Sequence, residues 1–214
     1  MIIFLVMSFR VNLKLRSAKE DVMKRKTMLR FLSCSLLAAL LFAAAGAPAI
    51  EVSELPKLQA PILVTSLGQA PDGNTIFVMA KRGGATLDYE TLAAPERIKD
   101  FKVVIISYGV SLKGFGAAGV NLDTELARAE AIKKLAKDNG IKLVGMHIGG
   151  IGRRDQMSNR IIENYAGMCD LLIVYKDGNQ DGLFTDIAQK GGIPFLELEK
   201  LNLLGGALKQ MLIE

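Results

Sequence analysis

The chain has 214 residues, is half hydrophobic and carries a formal charge of +5 at neutral pH. Eight of its 27 lysines and arginines, but only two of its 22 acidic residues, lie within residues 1–49. Residues 50–214 are therefore close to neutral, lack the basic face that nucleic-acid binding requires, and contain a single cysteine, Cys169, which excludes a disulfide among them.

The first segment has the features of an export signal. Basic residues at 24–30 precede an apolar run at 31–45, and small residues follow as far as Ala49. We predict cleavage after Ala49, so that residues 1–49 are a leader and signal peptide. The alternative is an uncleaved membrane anchor, although a membrane span needs roughly 20 apolar residues. A periplasmic or extracellular location follows, with membrane attachment only through an uncleaved leader.

After a linker at residues 50–60, two apolar patterns alternate along the chain. Short runs of β-branched and apolar residues predict strands that are buried on both faces, at residues 61–66, 102–108, 141–148, 171–176 and 193–198. Apolar residues at helical spacing predict helices at residues 122–136, 157–168, 183–191 and 201–211. This alternation predicts a parallel sheet with right-handed crossovers.

Residues 72–83 fit a strand through their β-branched side chains and a helix through their glycine ending, and we predict the helix. Residues 85–90 then form a short edge strand. The order of elements resembles a flavodoxin-like fold. That resemblance implies one α/β domain at residues 61–214, doubly wound, with a mostly parallel sheet of five or six strands and helices on both faces. It also implies the strand order 2-1-3-4-5-6 and a ligand crevice between the first and third strands.

Polar, glycine-bearing loops follow four of the predicted strands at their carboxyl ends, where ligands bind in such sheets. Backbone N–H groups and cationic side chains together suit a small anion. The candidate ligand-binding residues are Thr65, Ser66, Gln69, Asn74, Ser107, Lys113, Gly114, Gly149, Gly150, Arg153, Arg154 and Lys176. The alternative is that the glycines only end strands and the cations are solvated.

The only histidine of the chain, His147, ends a predicted strand. It is a candidate general base or ligand contact, oriented by Asp155, or else a packed strand-end residue. Because no second histidine or carboxylate cluster has metal-ligand spacing, we expect no metal. Cys169 precedes its strand and so lies at the opposite edge of the sheet, which disfavours a cysteine–histidine dyad.

The sequence GFGAAG at residues 114–119 matches the glycine pattern of dinucleotide-binding loops. It starts several residues beyond its strand, and the next strand ends in MHIGG without an acid for a ribose. We therefore expect a mobile or ligand-enclosing glycine loop and no cofactor.

The sequence HIGGIGRRD at residues 147–155 predicts a turn into a helix with Asp155 as its N-cap. Arg153 and Arg154 then stand at the positive end of the helix dipole and need an answering anion. If a ligand supplies it, replacing either arginine should slightly stabilise the empty protein. If the domain's own acids bury an arginine, its loss should destabilise the protein.

Three long segments resemble a family of exported bacterial proteins whose domain has no known function: PILVTSLGQAPDGNT, SLKGFGAAGVNLDTELARA and HIGGIGRRDQMSN. The resemblance implies export and an α/β domain, without an activity. Three functions stay open. Binding of a small anionic solute for an envelope transporter or sensor is favoured. The others are a hydrolase or transferase with His147 as base and Ser107 or Ser111 as nucleophile, and a structural role in an envelope complex.

Overall fold

A computed structural model describes residues 55–213, so the leader, the predicted cleavage site after Ala49 and the start of the linker lie outside the described residues. The strands are β1 (Leu58–Gln59), β2 (Ile62–Leu67), β3 (Asp88–Tyr89), β4 (Val103–Tyr108), β5 (Lys142–His147), β6 (Leu171–Tyr175), β7 (Phe195–Leu198) and β8 (Leu212–Ile213). The α-helices are α1 (Asp72–Arg82), α2 (Leu112–Ala118), α3 (Leu122–Asn139), α4 (Gln156–Tyr165), α5 (Leu183–Gly191) and α6 (Leu204–Met211). Among residues 55–213, no helix has the length and apolar composition of a membrane span.

Six strands form one parallel sheet in the order β3-β2-β4-β5-β6-β7. This confirms the predicted α/β fold class. It also confirms the predicted strand order 2-1-3-4-5-6, in which strand 1 is β2, strand 2 is β3 and strands 3 to 6 are β4 to β7. Helices α1 and α6 pack on one face of the sheet, and α3, α4 and α5 pack on the other. Because the chain leaves the neighbouring strands β2 and β4 toward opposite faces, their carboxyl ends are the switch point at which such sheets bind ligands in a crevice.

The segment GFGAAG is helical, so the predicted glycine loop is wrong. Residues Leu112–Ala118 form α2, which Ser111 caps by accepting a hydrogen bond from the Gly114 backbone N–H at 3.1 Å. The cap offsets part of the low helix propensity of glycine. Gly114 is also needed for packing, because an added Cβ would lie 2.2 Å from the carbonyl oxygen of Gln69.

Part of the predicted linker is structured. Strand β1 lies within residues 50–60 and pairs in parallel with β8, at the other end of the described chain. The backbone N–H of Ala60 extends this contact by donating to the carbonyl of Ile213 at 3.3 Å. No apolar periodicity marks a strand of two residues, so only the tertiary contact reveals it.

The predicted helix at residues 72–83 is confirmed as α1, which packs closely against α6. Ile76 and Ala80 of α1 are buried on the sheet. At the crossing with α6, a Cβ added to Gly205 would lie 2.7 Å from the carbonyl oxygen of Met79. The backbones of the two helices can approach this closely only because α6 has no side chain there.

We predict opposite effects for two adjacent glycines of α6. Gly205→Ala should lower the free energy of unfolding by about 1–3 kcal/mol, because its methyl group overpacks the contact with α1. Gly206→Ala should raise it by roughly 0.5–1 kcal/mol, because Gly206 is exposed, nothing lies within 4 Å of its added Cβ, and alanine favours a helix. Urea denaturation measures both, and equal effects would contradict the close helix crossing.

Candidate functional site

The turns after β2 and β4 lie against each other at the carboxyl edge of the sheet. The Ala70 backbone N–H donates to the carbonyl of Gly109, and the Gly109 N–H donates to the carbonyl of Leu67, each at 3.2 Å. A Cβ on Gly68 would lie 2.3 Å from the Gly109 oxygen. The floor of the crevice is therefore made of backbone in direct contact.

A buried ion pair on α3, which the sequence analysis did not identify, holds the turn after β2. Glu125 is 1% exposed and accepts from the Gly68 backbone N–H at 2.8 Å and from Gln69 Nε2 at 3.1 Å. Arg128 Nε donates to Glu125 at 2.9 Å, and its Nη atoms donate to the carbonyls of Ser66 and Ala93. These bonds explain why Gln69, a buried residue, holds a left-handed φ of 58°.

Four of the predicted ligand-binding residues lie along or just after β2. Thr65, Ser66 and Gln69 are buried, and the side-chain hydrogen bonds of all three stay within the protein. Thr65 Oγ1, for example, donates to the carbonyl of Thr91 at 3.2 Å. Asn74 is exposed on the first turn of α1. The side chains of Thr65, Ser66 and Gln69 therefore form internal hydrogen bonds at the carboxyl end of β2.

Asp72 and Arg153 meet over the crevice. Asp72 begins α1, its side chain is 15% exposed, and its Oδ2 lies 3.8 Å from Arg153 Nε. Within residues 55–213, Oδ2 is buried without a hydrogen-bond partner, and so is the hydroxyl of Ser107 on β4. Burial raises the pKa of Asp72, and the positive charge of Arg153 opposes that rise.

Gly149 makes room for this pair. A Cβ added there would lie 2.3 Å from Arg153 Cγ and 2.7 Å from Asp72 Oδ2. Gly150, with a φ of 66°, is tied to the next loop, because an added Cβ would meet Asp177 at 2.4 Å and the Ile151 N–H donates to Asp177 at 2.9 Å. The glycines of the HIGG segment thus bring backbone and side chains close together.

Arg154 is buried against an acid of the domain itself. Its side chain is 1% exposed, and its Nη atoms donate to both carboxylate oxygens of Asp181, at 2.8 and 3.2 Å. Its Nε donates to Asn159 at 2.6 Å. Arg154 therefore meets the second of the two conditions stated for these arginines, burial against the domain's own acids, for which its loss is expected to destabilise the protein. The Arg153 side chain stays 35% exposed.

His147 is fully buried, and each of its ring nitrogens faces a backbone carbonyl. Nδ1 lies 3.0 Å from the oxygen of Tyr108 and Nε2 lies 3.1 Å from that of Gly150, while the ring stacks on Phe184. Burial lowers the pKa of His147. Asp155 caps α4, as predicted, through a bond from the Ser158 N–H at 2.9 Å, and both hydrogen bonds of its carboxylate are with Ser158.

The two predicted lysines lie on separate elements of the same edge. Lys176 pairs with Glu199 at 2.6 Å, and both side chains are more than half exposed. Lys113 is exposed on α2, next to Gly114. Within the described residues, neither lysine forms a hydrogen bond or salt bridge with Arg153 or Asp72, so the exposed cations do not form one cluster.

Cys169 belongs to the core, not to the crevice. It is buried at the start of β6, and its Sγ lies 3.2 Å from the hydroxyl of Tyr108. Burial raises the pKa of its thiol to about 12. It therefore stays protonated, as expected for a packed residue. The part of the chain that the structure describes holds no group of three His, Cys, Asp or Glu side chains arranged for a metal.

The fold and this edge define the class of protein: an open, doubly wound α/β domain with polar side chains at the carboxyl ends of its strands. Residues 59–212 match the family described as Domain of unknown function (DUF6305), and the chain belongs to this family. The match agrees with the family resemblance noted in the sequence. No curated protein matches the chain.

We predict that the two adjacent arginines differ in their effect on stability. Arg154→Ala should lower the free energy of unfolding by about 2–3 kcal/mol, because it removes charge-assisted hydrogen bonds from a buried site. Arg153→Ala, the matched control, should change it by less than about 1 kcal/mol, since its ion pair is long and partly exposed. Chemical denaturation of both variants measures this, and equal losses would contradict the contacts described.

His147 should make the protein less stable in mild acid. Its pKa in the folded state is lowered from 6.5, so the unfolded chain takes up a proton first as the pH falls. The free energy of unfolding is thus retained above the ordinary histidine pKa of 6.5. Below that pH it declines by at most about 1.4 kcal/mol per pH unit, until the imidazole of the folded protein also protonates. Denaturation between pH 7.5 and 5 should show this slope, and His147→Gln should remove it. A slope unchanged in the variant would assign it to other groups.

Proposed function

We propose that this protein is an exported domain that binds a small anionic solute in the crevice between β2 and β4, with Arg153 as the anchoring cation. One observation carries the proposal. The Arg153 guanidinium is partly exposed over the crevice, and the nearest acid lies 3.8 Å from its Nε, beyond hydrogen-bond distance. An anion that enters the crevice finds a cation whose hydrogen-bonding capacity is still available.

The surroundings of Arg153 support an anion site. Helix α1 starts beside it, and no side chain caps its first turn, so the positive end of the helix dipole faces the same space. Lys113 on the exposed side of α2 adds positive charge at this edge of the sheet.

The contacts of the candidate catalytic groups favour binding over hydrolysis or group transfer. His147 has no exposed surface. The hydroxyl of Ser111 caps α2, and that of Ser107 is buried. A general base and a nucleophile must both reach the substrate, whereas His147 and Ser107 are buried and the hydroxyl of Ser111 is used as a helix cap.

Export is supported by the sequence of the leader: a basic segment, an apolar run and small residues up to Ala49. Its direct test is cell fractionation followed by N-terminal sequencing, which should find a chain that begins at Ile50 outside the cytoplasm. A chain with an intact leader in the membrane fraction would indicate an anchor instead. In either case a transporter or sensor of the envelope is the proposed recipient of the bound solute.

Anion binding should appear as thermal stabilisation of the protein. Phosphate, sulfate and a set of small carboxylates are compared with chloride at equal ionic strength, and a bound anion at 100 times its Kd adds about 2.7 kcal/mol. Arg153→Ala should weaken binding by roughly 1–3 kcal/mol, because it removes charge-assisted hydrogen bonds.

Arg82→Ala is the control for charge. Arg82 is an exposed arginine at the far end of α1, so its loss changes the net charge equally without touching the crevice. It should leave the anion response unaltered. Stabilisation that survives Arg153→Ala, or that is lost equally in Arg82→Ala, would reject the crevice as the site.

A further inference from the structure

Three arginine–carboxylate pairs lie at the carboxyl edge of the sheet, and two of them are complete. Arg128 and Glu125 are joined at 2.9 Å, and Arg154 and Asp181 at 2.8 Å, both through direct hydrogen bonds. Arg153 and Asp72 are separated by 3.8 Å, too far for a hydrogen bond. The open pair is the one that lies over the crevice.

The Asp72 carboxylate lacks a hydrogen-bond donor at one of its two oxygens. Its Oδ2 is buried and, within residues 55–213, has no partner. A buried carboxylate oxygen without a donor costs free energy, since water cannot solvate it. The groups that face Asp72 are Arg153, the ring of His147 at greater range, and the backbone of Gly109 and Gly149. None of them donates a hydrogen bond to Oδ2.

We propose that the crevice selects small acids that carry a hydroxyl or amino group beside their acid group. The inference rests on the proposed function, because the acid group is the anion that Arg153 binds. The neighbouring donor hydrogen-bonds to the Asp72 carboxylate on the 15% of its side chain that stays exposed, so one ligand contacts both members of the open pair. The shared chemistry is that of α-hydroxy and α-amino acids.

Charge explains why the ligand needs both groups. A simple carboxylate or phosphate anion bound to Arg153 approaches the Asp72 carboxylate as a like charge, which disfavours binding. A donor on the carbon next to the acid group places a positively polarised hydrogen, or an ammonium, toward Asp72 instead. An analogue without the donor forgoes this hydrogen bond and keeps the like-charge repulsion, so it binds more weakly.

Four three-carbon probes separate these requirements: L-alanine, L-lactate, propionate and propylamine. Each is titrated into the full-length protein, and the backbone amide signals and the Arg153 Nε–H signal are followed by NMR, which detects weak binding. We expect alanine and lactate to bind at least about tenfold more tightly than propionate, in line with one charge-assisted hydrogen bond. Propylamine, which lacks the acid group, should not bind. The ratio of alanine to lactate distinguishes an ammonium from a hydroxyl donor.

Asp72→Asn tests the source of the preference. It replaces a charged acceptor by a neutral amide oxygen at the same shape, so the preference for alanine and lactate should shrink severalfold, while propionate, freed from a like charge, binds at least as well. Asp138→Asn, at the end of α3 that lies away from the crevice, is the matched control and should retain the preference. A preference that persists in Asp72→Asn would overturn the inference.

The remaining outcomes separate the two levels of the proposal. If propionate binds as tightly as lactate and alanine, and Arg153→Ala abolishes all three, the anion site stands and the selection by Asp72 is wrong. If none of the acids shifts signals of the crevice, and the thermal screen finds no stabilising anion, the proposed function fails and this inference fails with it.

Discussion

The carboxyl edge of the sheet depends on the buried pair of Glu125 and Arg128. Placing two charges in the interior costs several kcal/mol per ion unless every polar atom finds a partner. Here the partners are the backbone and side chain of the turn after β2 and the carbonyls of Ser66 and Ala93. Because both charges stand on one turn of α3, that helix fixes the turn after β2 in its contact with the turn after β4, with which it shares backbone hydrogen bonds.

The two arginines of HIGGIGRRD, at the same edge of the sheet, have different roles. Arg154 turns inward, stacks over Phe184 and is held by Asp181, so it joins two loops of the edge. Arg153 turns toward the crevice and meets only a distant carboxylate. If both arginine side chains faced the positive end of the α4 dipole, they would be repelled by it and by each other. Because Arg154 points to Asp181 instead, this repulsion is avoided, and Arg153 is left with its acid at 3.8 Å.

Several residues of the edge were predictable and others were not. The strands, the helix starting after Asp155 and the polar loops follow from apolar periodicity and capping rules, which act over a few neighbouring residues. The roles of Glu125, Arg128 and Asp181 were missed, because charged residues on helices and loops usually face solvent and nothing nearby in the sequence marks them as buried. Their partners lie up to 62 residues away in the chain, as for Arg128 and Ser66. GFGAAG misled the prediction, since Gly114 packs against Gln69 and Gly119 ends the helix in a left-handed conformation.

The sequence alone determined the α/β class, the order of strands and the edge at which the polar loops gather, because a parallel sheet places the carboxyl ends of all its strands together. The tertiary structure decided which polar groups of that edge are used internally and which stay available. That division depends on distances between side chains brought together from separate loops. The spacing of residues along the chain carries no information about whether Arg153 or Arg154 meets an acid, because the direction of each side chain depends on how the whole loop is set against its neighbours. Burial then makes the choice, since a charge removed from water must find its partner inside the fold.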